Sequence, residues 1–154
     1  MREILFRGKR LDNGEWVEGA FLNDRNGAFY ICPAVSDISY GDSGARRRIG
    51  CWYKVDPSTV GQYAGLNDKN GQRIFEGDIL HIARIADSLG RYYRPPLGYH
   101  VNVVVKWDLC AWMWETLCDD KRYITFPDAW CLYECEIIGN AHDNQELLKE
   151  EAQP

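Results

Sequence analysis

Long apolar runs are missing from this 154-residue chain: nothing approaches the ~18 consecutive apolar residues that a spanning helix needs. The opening Met1-Arg2-Glu3-Ile4-Leu5-Phe6-Arg7 has no extended apolar stretch and no small-residue cleavage site, so no secretory signal is expected. Helix signals are few. Only Asp143 to Lys149 joins a capping residue to an apolar pair, which predicts one short helix in the tail, capped by Asp143. Enzyme signatures are missing as well: there is no Gly-x-x-x-x-Gly-Lys-Ser/Thr, Gly-x-Gly-x-x-Gly, His-Glu-x-x-His or Gly-x-Ser-x-Gly. A nuclease-type acid-x-Lys strand fails too, because Val104 stands two places before Lys106.

Charge of one sign is confined to the end of the chain. Residues 132–154 hold six acids against Lys149 alone, and this segment accounts for the whole formal charge of −5. The remaining chain is neutral and offers no broad field to gather a polyanion. The basic cluster Arg46-Arg47-Arg48 lies in a Gly/Ser/Asp-rich stretch, where such clusters usually form a solvated tip; phosphate contact is the sharper alternative. Six cysteines without a secretory context read as reduced thiols rather than a disulfide framework. Cys131 and Cys135, with His142 beyond, come nearest to a zinc spacing, but no second ligand pair follows. No metal and no cofactor are therefore expected.

What is present is aromatic and periodic. Six Trp, nine Tyr and five Phe are too many for a solvated, disordered chain. Alternation of period two dominates. Asn13-Gly14 and Asn26-Gly27 separate the segments 4–9, 15–22 and 28–32 into a three-stranded meander. Further strands are expected at 51–55, 59–63, 74–75, 79–83, 101–107, around Trp112 and Trp114, and at 131–137. The expected class is mainly β: an N-terminal meander over 1–58, a small barrel over 59–141 and a short acidic helical tail over 142–154.

The run Asp56-Pro57-Ser58-Thr59-Val60-Gly61-Gln62-Tyr63-Ala64-Gly65-Leu66-Asn67-Asp68-Lys69-Asn70-Gly71, continuing through Gln72-Arg73-Ile74-Phe75-Glu76-Gly77-Asp78-Ile79, resembles the YopX family of phage and prophage proteins. The ending Tyr133-Glu134-Cys135-Glu136-Ile137-Ile138-Gly139-Asn140 and the opening Arg2 to Arg7 match it too. The resemblance implies a barrel of the SH3-like type and a phage or prophage setting, with no assigned activity; the reduced thiols add the expectation of a bacterial cytoplasmic location. The residues of the central block carry a structural reading of their own. Gly61 and Gly65 suit close packing or positive φ, Asn70-Gly71 a turn, and Glu76-Gly77-Asp78 a tight corner in which Asp78 accepts backbone hydrogen bonds.

Two features exceed what a scaffold needs. Arg91-Tyr92-Tyr93-Arg94-Pro95-Pro96, within the long 86–99 excursion, combines cations, aromatics and a stiff Pro pair; such a loop either folds over the barrel mouth or docks on a partner. Trp112 and Trp114 share one face of a strand, as core or as a stacking platform. The leading expectation is a non-enzymatic interaction module that binds a protein partner, with self-association into a homo-oligomer as a further option. Nucleic-acid binding through Arg46–Arg48 and the Tyr92/Tyr93/Arg94 group is second. A small hydrolase or nuclease using Glu76, Asp78 or His100 is third. No membrane partner is expected.

Overall fold

A computed structural model describes residues 3–33, 51–83, 100–108, 111–118, 121–125 and 135–148. The chain is mainly β and antiparallel, as the alternation predicts. It divides into two compact units, Met1–Tyr63 and Ala64–Pro154.

The first unit begins with β1 (Phe6–Lys9), β2 (Trp16–Asn23) and β3 (Phe29–Cys32), the expected meander. Its second turn is built by Asp24, whose Oδ1 accepts from the amides of Asn26 and Ala28, both at 2.8 Å. That local capture favours a turn over continued strand. β4 (Tyr53–Val55) pairs with β3 and then meets β1 again. Arg10 bridges Val55, Leu11 N donates to Lys54 O (3.0 Å), and Asp56 N donates to Lys9 O (2.8 Å). The four strands thus close on themselves around Ile31 and Val55, which are fully buried. Phe21 packs against Phe6 and Phe29 with ring centroids 5.1 and 5.0 Å apart. At Gly19 the strands leave no room for a side chain: a Cβ there would lie 1.8 Å from the Cys32 carbonyl oxygen.

A strand from Thr59 is expected, but Pro57–Thr59 form a 3-10 turn and β5 runs Gly61–Asn67. The reason is local. Asp56 Oδ1 accepts from Ser58 N (2.9 Å), and Pro57 occupies a first helical position, where its fixed φ and missing N–H do no harm. Thr59 is buried, its hydroxyl donating to Asp56 O and accepting from Lys9 N. β5 starts beside β1, with Gly61 opposite Arg7, and its later residues open the second unit.

In the second unit β6 (Arg73–Phe75) neighbours β5, and a five-stranded sheet runs in the order β10-β9-β8-β7-β11. These strands are β7 (Asp78–Ala83), β8 (His100–Asp108), β9 (Ala111–Cys118), β10 (Lys121–Thr125) and β11 (Cys135–Asn140). Leu80, Ile82, Val103, Val105 and Cys135 form one core with Ala64 and Ile74, and Trp112 and Ile137 pack against it. Each fully buried aliphatic side chain contributes about 1.5–3 kcal/mol. The other sheet face is buried as well at Ile79, Val104 and Met113. The tail helix is a single 3-10 turn, Gln145–Leu148. Just before it, Asn140 Oδ1 accepts from the amides of His142 and Asp143, both at 3.0 Å, and the Asp143 carboxylate accepts from Asn140 Nδ2 (3.2 Å).

Candidate interaction site

The corner Glu76-Gly77-Asp78 joins β6 to β7 and is fastened on three sides. Asp78 is fully buried, and its Oδ2 accepts from Phe75 N at 2.7 Å. Gly77 N donates to Val105 O (2.9 Å), and Ala141 N donates to Gly77 O (2.8 Å). Gly77 has φ 84°, a conformation that L side chains rarely adopt, so the corner favours glycine. Asp78 is thereby spent inside the fold, whereas Glu76 stays at the surface. The Glu76 Oε1 accepts a long hydrogen bond from Trp107 N (3.4 Å), which sets the carboxylate beside β8.

Among the described residues of the second unit Trp107 is the largest exposed apolar side chain, 51% accessible. It lies opposite Trp112 across the β8–β9 ladder, and the two indoles meet edge to face with centroids 5.0 Å apart. Such a pair is worth about 0.5–1.5 kcal/mol beyond its buried area and holds both rings in place. Alternation along β8 sets Val103, Val105 and Trp107 on one face, so the core ends in water at Trp107. On the opposite face Lys106 forms an ion pair with the buried Glu115. Glu76 thus holds a carboxylate at the backbone of the residue that carries the exposed indole.

Of the binding residues expected from sequence, Trp112 is half-buried against the core, and Trp114 lies in β9 in register with Val105. Arg46, Arg47 and Arg48, and Arg91, Tyr92, Tyr93 and Arg94 with the rest of the 86–99 excursion, lie outside the described residues, as does Cys131. Trp107 was not singled out. Its signal was its place at the end of an alternating strand, one turn away from a second Trp.

The remaining motif residues build the β5–β6 connection. Gly65 and Gly71 have φ values of 82° and 79°. Asp68 is the centre of this turn: its Oδ1 accepts from Asn70 N and Gln72 N, each at 2.9 Å, and its Oδ2 accepts from Ile137 N at 3.2 Å. Burial pushes this carboxyl up, but the hydrogen bonds outweigh burial and hold it below the usual range. Lys69 pairs with Glu136 at 2.5 Å, and that hydrogen bond lowers the Glu136 carboxyl. Burial, with the Asp68 charge nearby, pushes the Cys135 thiol up. His81 Nδ1 meets Asn102 Oδ1 at 2.9 Å, while Asn102 Nδ2 donates to Leu147 O at 2.8 Å, tying the tail to β8. Among the described residues no group of three or more His, Cys, Asp or Glu could hold a metal ion, and no helix is long and apolar enough to cross a membrane.

Comparison with known proteins agrees with this architecture. The chain resembles the crystal structure of protein EF1440 from Enterococcus faecalis, at 24% identity, covering 96% of this chain and 99% of that one, with a TM-score of 0.58. At that identity the likeness speaks for the fold alone. No curated protein matches. The model of the YopX protein family matches residues 5–149, from β1 to the C-terminal turn. The chain therefore belongs to the YopX protein family.

Proposed function

We propose that this protein is a phage- or prophage-encoded, non-enzymatic interaction module that works in the bacterial cytoplasm by binding a protein partner. The observation that carries this reading is Trp107, half in water, braced by Trp112 and standing on a strand whose inner face is core. Rigid aromatics of this kind are enriched at the centres of protein interfaces, because they bring large contact area at low entropic cost. The acids at the corner support the same reading: Asp78 is enclosed and bonded to the backbone, which is scaffold chemistry. The SH3-type barrel over 59–141 is part of this proposal, and the antiparallel order of the second unit supports it.

The test is capture of host proteins on the immobilised full chain, at low and high salt, beside Trp107→Ala and a variant lacking residues 87–97. A band retained at high salt and lost with Trp107→Ala supports a protein interface on this face. A band lost only with the deletion moves the site to the excursion. Binding of nucleic acid that fades steeply with salt replaces the proposal by the phosphate-contact reading.

A further inference from the structure

Resting on the protein-binding reading above, the geometry points to a more specific ligand chemistry: we infer that Trp107, Trp112 and Glu76 form a receptor for a cationic side chain, Arg or Lys, on a partner peptide. Three observations converge. The Trp107 indole is half exposed, and its edge-to-face contact with Trp112 fixes the ring's orientation. Cations bind above aromatic faces, indole best of all. Next, the Glu76 carboxylate stands beside Trp107 through its 3.4 Å contact with the Trp107 amide, and its second oxygen has no partner among the described residues. Aromatic face and free carboxylate oxygen together select a group that is flat or greasy along its stem and positive at its tip.

The third observation is the rigidity of the corner. A carboxylate held there attracts a basic segment and repels a phosphate, so the surface favours a basic peptide over a nucleic acid. Gly77 N to Val105 O, Ala141 N to Gly77 O, and Asp78 to Phe75 N fix the position from which Glu76 projects, so little ordering is left for binding to impose.

The experiment titrates the full chain with a fluorescein-labelled peptide of alternating Gly and Arg, and with a matched peptide carrying citrulline, which keeps the shape and removes the charge. Binding is read by anisotropy and by the indole N–H resonance of Trp107, assigned with Trp107→Phe. The Arg peptide is expected to bind and to shift that resonance, and the citrulline peptide to fall away. Trp107→Ala is expected to weaken binding about tenfold. Glu76→Gln is expected to weaken it about threefold, and Glu76→Lys to abolish it. Glu76 is a surface residue, so its variants keep the test valid should Trp107→Ala disturb the fold. Equal binding of both peptides, or no response to the Glu76 variants, overturns the inference. So does an oligothymidylate that shifts the same resonance, or concentration-dependent dimerisation that Trp107→Ala abolishes, since a nucleic acid or a second copy then occupies the face. If Arg-peptide binding fails while capture of a host protein persists and depends on Trp107, this inference falls and the interaction-module reading stands. If capture fails as well, both fall.

Discussion

Replacing Asp68 by Ala removes one side chain and opens three hydrogen bonds to the backbone. Two of them, from the Asn70 and Gln72 amides, lie in an exposed turn that water reaches, and each is worth about 0.5–1.5 kcal/mol. The third comes from Ile137 N in half-buried β11, where a stranded donor costs about 1–3 kcal/mol. Together they give an expected loss of about 2–6 kcal/mol at neutral pH, read by urea unfolding followed by tryptophan fluorescence. Asp68→Asn restores only part of this: its amide oxygen can keep the Asn70 and Gln72 bonds, but its NH2 group then confronts the Ile137 N–H. The pH dependence has a definite sign. The folded carboxyl titrates below its ordinary value of 3.8, so its stabilisation is complete above that value. It declines as pH falls from there through the lower folded value. The gap between the natural protein and the Ala variant should therefore be full at pH 7 and shrink steadily below about pH 4. A variant within 0.5 kcal/mol of the natural protein at pH 7, or an equal gap at pH 7 and pH 3, refutes the placement of Asp68 at the centre of the turn.

Gly19→Ala should abolish folding of the first unit or cost more than about 3 kcal/mol, since its Cβ would sit 1.8 Å from a backbone oxygen; Gly77→Ala, strained in φ but not so crowded, should cost about 1–2 kcal/mol. Circular dichroism and thermal melting of the two variants compare these costs. Alkylation mapped by mass spectrometry should label exposed Cys51 within minutes in the native protein, and label the buried Cys32 and Cys135 only on unfolding. Rapid native labelling of Cys135 contradicts its place in the core. Asn102→Ala should release the C-terminal turn, raising hydrogen exchange at the Leu147 amide, while overall stability falls by only about 1 kcal/mol.

The first unit was largely legible because its information is local. Asn13-Gly14, Asn26-Gly27 and the alternation between them set the three strands almost to the residue. The return of β4 to β1 was not legible: it depends on contacts between residues 9–11 and 54–56, which no turn motif encodes. The 3-10 turn at Pro57–Thr59 was missed for the opposite reason. Its signal, an Asp followed by Pro and Ser, is local, but it was outweighed by β-branched Thr59 and Val60, which favour a strand on propensity alone. In the tail, the apolar pair after Asp143 signalled a helix, and a single 3-10 turn forms there, preceded by a bend that Asn140 organises. Asp78 was legible as a turn acid. The partnership of Glu76 with Trp107 was not, since it joins residues 31 positions apart through a corner whose placement on β8 only the folded sheet supplies.

The pairing of β7 with β11 imposes an order on how the chain matures. Leu80 finds its neighbour Ile137 only after every intervening residue has been synthesised, and Asp68 waits equally long for the Ile137 amide. The first unit has no such delay, for its closing contacts involve nothing beyond Tyr63. On the ribosome, the N-terminal strands can thus be in register while β7 and β8 still present Leu80, Ile82, Val103 and Val105 without their last strand. That interval is when the nascent protein is most exposed to aggregation and to host chaperones.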